Sequence, residues 1–599
     1  MTASAHGQPP HDFVPLEDVE ILHSCMDPAP SNATRRLAEG IIYRTFTHQQ
    51  QVTDLIQQHG ARANASIELP MRGCSGGWAY YLLSLTIDNL SDNTMPTIAA
   101  TDEAHTPGAI RQRPVILPRW PSPQLEAAIM NALIDSGADV NGPAGGEQLP
   151  IRIAIRAGNE GALSVLLARN AAVRWNDHRH PTVMDLPHTG EHLGYKVPPA
   201  YEQRLLSVYR RLIQHDPTLA TVQDHIGRNL IHSAAHDERW NYSQAFIDSY
   251  LDLLVANGAN PMAMSTNGWT ALHDAAYIWE NELDDPYDSS PCVVDYVGRH
   301  VPAEFVNREI HGGETALSLA AEQLEWAIAV PQDDDADQYI RERATRKIPL
   351  HEATIRNLLR CGADISFLAN RPPSPYIYIS YLANRPPPRE LVLPQYTAVL
   401  NEVPAAAMAA VNAALRPQRS LAALLTHLLP HVAHNDGEDP APSPLSFGPH
   451  ESAAIGWKIA AFCLDMEAAH EAITRTLTVR NSDFARRVCG AVERFVKSAL
   501  SASGNQEVVG GTANVDGVTV RVPLQCFAVN GGQQGGHRMV GVREVVHRAR
   551  LDEAARHGIE GASIAKGFNE QLANADCQFL WQQLRRVDGR GRFVTLDIN

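Results

Sequence analysis

Apolar residues in this chain fall into short blocks at helical spacing, each closed by glycine or asparagine. Leu125 to Asn141 reads LEAAIMNALIDSGADVN, with its apolar positions on one helical face and Gly137 at the end. Val52 to Asn64, Ala162 to Val173, Leu251 to Asn260 and Ile355 to Asp364 have the same form. A second kind of block is shorter and rich in alanine: Gly227 to Ala235 (GRNLIHSAA), Gly268 to Ala276 (GWTALHDAA) and Gly313 to Ala321 (GETALSLAA). Each predicts a short helix, with Ala-Ala where a neighbouring helix approaches closely. Glycine after the longer block is expected in the left-handed conformation that ends a helix.

The two kinds of block alternate in fixed order. Leu149 follows Gly137 by twelve residues, and Thr270 follows Gly258 by the same step. From Gly137 to Asn170 the period is about 33 residues. These segments resemble the ankyrin family, in its Thr-Pro-Leu-His-x-Ala-Ala and Gly-Ala-Asp-x-Asn motifs, over about residues 41 to 366. The resemblance implies a solenoid of about six to seven irregular helix pairs that bury their faces by stacking. It also implies that His232 and His273, at the helix-start histidine position, are structural hydrogen-bonders.

Most repeats depart from the family's length in one place. Inserts lie between first and second helix at about Asp88 to Pro121, after Thr182, after His236, after Tyr277 and near Asp333. In an ankyrin stack that connection lies opposite the hairpin fingers, so the inserts are expected to form one edge. Glu280, Glu282, Asp284, Asp285, Asp333, Asp334, Asp335 and Asp337 make this edge acidic and a candidate binding face. The resemblance places the usual binding surface at the finger tips: Gln148, His225, Arg228, Asn267, Trp269, Arg308, His311 and Glu314. Trp269 is the best anchor candidate, because aromatics and arginine dominate interface hot spots.

Outside the repeats the pattern changes. Residues 1–40 read as a flexible segment with a candidate secretion signal, 367–395 as a Pro-rich linker, 396–433 as a helical cap and 434–446 as a second linker. Residues 447–599 read as a smaller α+β domain. Its helical patterns run over 451–477 and 482–502, its hairpin turns at Asp516-Gly517, and a terminal strand lies in RFVTLDI. The fold class expected is therefore mainly α, a solenoid followed by an α+β domain.

Composition narrows the partners. A net charge of -17 argues against nucleic acid, whose phosphates require surplus Lys and Arg, and favours a protein with a basic surface. No apolar run suggests membrane insertion, no Sec-type signal begins the chain, and the scattered cysteines suit a reduced, cytoplasmic-type protein, expected as a monomer. Only five of the 50 basic residues are lysine. Two readings fit: a GC-rich genome, or a protein working inside a eukaryotic host, where few lysines mean few ubiquitin acceptors. The chain is similar in style to type III-secreted bacterial ankyrin effectors.

Candidate chemistry is sparse, and no cofactor, metal site or catalytic residue is expected. His178, His180, His188 and His192, with Asp177, Asp185 and Glu191, match no standard metal spacing. Gly531 to His537 is Gly-rich but lacks a following Lys-Ser/Thr, so it reads as a connection. Cys489, Cys526 or Cys577 could pair with His537 or His547, but their apolar contexts favour buried thiols. The sequence thus points first to a protein-binding effector. An enzyme targeted by its repeats, with catalysis in the C-terminal domain, and a bacterial scaffold are the alternatives.

Overall fold

The computed structural model describes residues 13–23, 31–74, 78–102, 111–142, 148–175, 182–187, 197–236, 242–277, 291–310, 312–332, 337–368, 387–428, 449–501, 512–515, 518–521, 525–531, 536–567, 577–587 and 592–596. The protein is mainly α-helical with small antiparallel sheets. It divides into two compact units, the first Met1–His300 with Ile310–Gly312, the second Val301–Glu309 with Gly313–Asn599.

In the first unit the elements are β1 (Leu22–His23), α1 (Asn32–Ile42), α2 (Gln49–Gln57), β2 (Ser66–Glu68), β3 (Ala79–Tyr81), α3 (Leu82–Thr86), β4 (Ala99–Asp102), β5 (Arg111–Pro114) and α4 (Pro123–Asp135). They continue as α5 (Pro150–Arg156), α6 (Glu160–Ala168), α7 (Pro199–His215), α8 (Leu230–His236), α9 (Gln244–Ala256), α10 (Ala271–Ala276) and α11 (Pro291–His300). Helices pack as pairs, α1 with α2, α3 with α4, α5 with α6 and α10 with α11, while α8 packs on α10 and α9 on α7 and α11. Several second helices run into a left-handed residue: Gly60, Gly137, Asn170 and Gly258 all have positive φ. Among the described residues the first helix expected after Thr182 is not formed: Thr182 bridges Arg174, and residues 183–187 make a turn and irregular chain.

Apolar faces bury the core, but polar side chains tie one pair to the next. The Asn64 side chain accepts from the Asp139 amide (3.2 Å), Asn141 accepts from Ala172 (2.6 Å), and Asn229 donates to the Asn260 carbonyl (2.8 Å). Glu202 on α7 accepts from both the amide (2.6 Å) and hydroxyl (2.7 Å) of Ser243, the residue capping α9. Glu126 on α4 accepts from the side-chain amide of Asn159, which caps α6 (2.8 Å). Glu126 also accepts from the Asp88 amide (2.8 Å), and burial pushes its carboxyl up to about 7. Asp88 pairs with the buried Arg44 guanidinium (3.1 Å), which donates to the Leu85 carbonyl (2.8 Å) and stacks on Trp120.

That network fixes both ends of the first insert. Between them β4 and β5 pair antiparallel, and residues 69–71 and Val14 bond to the hairpin. The described part of this insert is therefore packed against the unit rather than open as an edge. The N-terminal segment differs from expectation for a related reason: Val14 and Val19 are buried, β1 pairs with β2, and Ser31 caps α1, so residues 13–23 and 31–40 are folded.

The second unit contains α12 (Ala303–Val306), α13 (Ala316–Ala329), α14 (Gln338–Arg360), α15 (Pro388–Leu428), α16 (Pro449–Phe462), α17 (Met466–Thr476), α18 (Asp483–Ser501) and α19 (Val542–Arg556). Its strands are β6 (Thr512–Val515), β7 (Val518–Arg521), β8 (Phe527–Gly531), β9 (Gly536–Val540), β10 (Leu584–Val587) and β11 (Phe593–Thr595). β6 and β7 form the expected hairpin, and the remaining strands form a sheet of order β11-β10-β8-β9. The 41-residue α15 begins inside the stretch read as linker and packs against α13, α14, α16, α17, α18 and α19. By length and composition it is apolar enough to cross a membrane, yet half of its most apolar window is buried in the unit, as in a core helix. The fully buried Arg550 of α19 fastens to it, donating to the Leu400 carbonyl (2.7 Å) and the Asn401 side chain (2.9 Å).

Asp274 on α10 tests the role of buried charge in the first unit. It is fully buried, and its nearest counter-charge is Arg228 Nη2 at 3.3 Å. Burial raises its carboxyl to about 7, against the partial opposition of Arg228. Stability from this group is complete below the unfolded-state value of about 4 and is lost as pH rises through 7, on the order of a few kcal/mol. Asp274→Asn is expected to flatten that decline between pH 5 and pH 8, read as urea midpoints of the first unit. Parallel pH profiles for wild type and variant would contradict the assignment.

Candidate interaction surface and a polar pocket

Two turns of the same construction stand side by side in the first unit. One runs from Gln223 to Asn229, which bridge each other; Asp224 N–H donates to the Arg228 carbonyl (2.8 Å) and Gly227 N–H to the Asp224 carbonyl (3.1 Å). The other runs from Met264 to Thr270, with Ser265 N–H to Trp269 O (2.8 Å) and Gly268 N–H to Ser265 O (2.9 Å). Gly227 and Gly268 both take φ of +80°, which explains glycine there. The Thr266 amide donates to the Ile226 carbonyl (2.8 Å), locking turn to turn.

Each turn leads into a helix whose start is closed by histidine. His232 Nδ1 lies 2.7 Å from Asn229 Oδ1, and His273 Nδ1 lies 2.7 Å from Thr270 Oγ1. Both rings are buried, and His232 Nε2 reaches the Trp269 carbonyl (3.4 Å) of the next turn. Desolvation lowers His232 to about 4, so it stays neutral at physiological pH.

The expected tip residues divide. His225 and Asn267 are exposed, and Gln148 is half-buried, its carbonyl accepting from Ser84 Oγ (2.6 Å). Arg228 is turned inward to the buried Asp274, so it is not a free tip. Trp269 is half-buried against His273 and Tyr277, with ring centroids 6.1 and 5.3 Å away. The turn thus holds its tryptophan on its own helix rather than offering it as an anchor. Met262 and Met264 are exposed beside the second turn and were not foreseen; adaptable thioethers suit a contact surface. In the second unit Arg308 is exposed, whereas Glu314 is buried and cannot serve as a tip. His311 lies outside the described residues, as do Glu280, Glu282, Asp284, Asp285, Asp333, Asp334 and Asp335; Asp337 is exposed.

The second unit has a polar pocket of about 200 Å³ lined by Asn307, Asp364, Tyr396, Asn481, Ser482, Asp483, Glu553, Arg556 and His557 among others. One wall is Gly362, whose φ of +95° lets the end of α14 approach Arg480; a Cβ there would meet the Arg480 carbonyl oxygen at 2.8 Å. The opposite wall is a chain of polar side chains. Tyr396 Oη donates to Glu553 Oε1 (2.7 Å), and His557 Nε2 lies 3.2 Å from the same oxygen. Burial would raise Glu553, but hydrogen bonds from His557 and Tyr396 outweigh it and hold the carboxyl below its usual range. Burial and Glu553 push the Tyr396 phenol well above its ordinary value, so it is a neutral donor. The wall therefore presents a fixed carboxylate, suited to orienting a polar or cationic group.

Other chemistry weighed from the sequence is dispersed. Cys526 and Cys577 are buried, and burial pushes the Cys526 thiol up to about 12. His547 is buried beside Arg550 (3.3 Å). His537 lies opposite Asn530 in the β8–β9 hairpin that the Gly-rich stretch connects. Of the His178 to His192 cluster, only Asp185 falls within the described residues. No family model matches the chain, and no curated protein matches it.

Tyr396→Phe removes one donor from a buried carboxylate, which costs about 1–3 kcal/mol. The depressed Glu553 value means this stability is present at neutral pH and is lost as pH falls through the folded value. The variant is expected to lower the second unit's urea midpoint at pH 7 and to have a smaller effect at pH 3. An equal effect at both would show that the carboxylate is not the partner that matters.

Proposed function

We propose that this protein works by binding another protein, through an ankyrin-type array over residues 41–366. The observation that carries this reading is the pair of identically built turns joined by the Thr266–Ile226 bond, with His225, Asn267, Met262 and Met264 exposed. Surfaces of this kind recognise a partner by shape and by a few central contacts, without a catalytic group. The chain's net charge of -17 favours a partner with a basic surface. The scarcity of lysine supports work inside a eukaryotic host after export from a bacterium, with service as a scaffold in the bacterium as the competing location.

A second reading has its own support. The Tyr396–Glu553–His557 pocket is the concave, polar site that a repeat-targeted enzyme would need in this part of the chain. With Glu553 ionised and Tyr396 neutral, the pocket has an acceptor and a donor but no activated nucleophile, so ligand binding is the better-supported role.

The test is capture of partners from host and bacterial lysates by wild type and by a His225→Glu, Met264→Glu, Asn267→Arg triple variant. The expected outcome is a host protein whose capture falls by about tenfold or more, consistent with the loss of hot-spot contacts. The thermal midpoint should stay within a few degrees, because these side chains are exposed. Undiminished capture by the variant would rule out this face.

A further inference from the structure

We propose that His470, Cys489 and Glu493 form a site for a zinc-type divalent cation on the second unit. Cys489 and Glu493 lie one turn apart on α18, so their side chains project from the same face. His470 comes from α17, which packs alongside. One donor atom from each residue lies within 4.8 Å of the other two. Among the described residues this is the one place where three such donors converge.

The donor set discriminates between ions. Imidazole, thiolate and a single carboxylate suit Zn²⁺ or Co²⁺, whereas Mg²⁺ and Ca²⁺ require oxygen ligands. Bond lengths of about 2.0 to 2.3 Å place tetrahedral zinc ligands roughly 3.3 to 3.7 Å apart. Cys489 Sγ is 3.9 Å from Glu493 Oε1, and His470 Nδ1 hydrogen-bonds to that oxygen. With all three donor atoms within 4.8 Å of one another, no pair has to close by more than about 1 to 1.5 Å to reach that spacing. His470 is exposed, and Cys489 and Glu493 are part-exposed, so an ion has access.

Without a metal, the Cys489 thiol points its S–H toward Glu493 Oε1. Binding replaces the S–H bond with an S–metal bond and releases that proton to solvent. Three protein ligands leave a fourth tetrahedral position for water or for a donor from a partner. Metal would also join α17 to α18 where a hydrogen bond now does.

The experiment is titration of the chelator-treated full chain with Co²⁺, following the near-ultraviolet thiolate-to-metal charge-transfer band and proton release in dilute buffer. One equivalent is expected to saturate the band and release one thiol proton, and Zn²⁺ should displace the cobalt. Cys489→Ser should abolish the band, and His470→Ala and Glu493→Gln should each weaken binding by about tenfold or more. Cys463→Ser, at an exposed cysteine elsewhere, should leave it intact. Circular dichroism confirms that each variant is folded. No band in wild type, or a band that survives Cys489→Ser, would overturn the proposal and leave His470–Glu493 as an interhelical ion pair.

Discussion

Polar bonds from one helix pair to the next are the interactions on which the first unit depends. A pair of helices as short as α5 and α6 cannot bury its own apolar face, so it must be stacked. Apolar attraction alone is non-directional and would allow neighbouring pairs to slide. The Asn229–Asn260 and His232–Trp269 contacts remove that freedom, because a slip would strand the buried Asn229 and His232 side chains, and the exposed Asn64–Asp139 and Asn141–Ala172 bonds add direction to the stacking. Glu126 and Glu202 act in the same way from the helix side, each satisfying the residue that caps a neighbouring helix. The exposed turns inherit their spacing from these bonds, and so would any partner-binding face built on them.

The same rule explains which features could be read from the chain. Glycine and asparagine at the helix ends act locally, and the structure gives Gly137, Asn170 and Gly258 positive φ. His232 and His273 could be placed because the hydrogen bonds that close their helix starts run three residues back. Arg228 could not, since its exposure depends on what a distant part of the chain offers. Arg228 finds Asp274 and turns inward, a contact that no local pattern announces. The carboxylates of Glu126 and Glu202 left a faint signal, single acids on otherwise apolar helical faces.

The second unit was less legible because its site is assembled from remote pieces. Asn307, Asp364, Tyr396, Asn481 and Glu553 come from separate elements and meet only through α15 and the tight approach at Gly362. Length and alanine content made α15 look like a cap, while its position among six other helices makes it a central element of its unit. The two units therefore pose different questions of function. The first has a repeated exposed surface and no pocket chemistry assigned to it, whereas the second has a preorganised carboxylate and a convergent His–Cys–Glu group.

Hydrogen exchange at the Thr266 amide is the most direct measure of whether lateral polar bonds hold the turns in place. His232→Ala removes the ring that reaches the Trp269 carbonyl without altering any residue of the Met264–Thr270 turn. If the account is correct, Thr266 exchanges markedly faster in the variant, while amides of α4 and α6 keep their wild-type rates. An unchanged Thr266 rate in a folded variant would contradict it, and would leave apolar stacking alone to set the register of the turns.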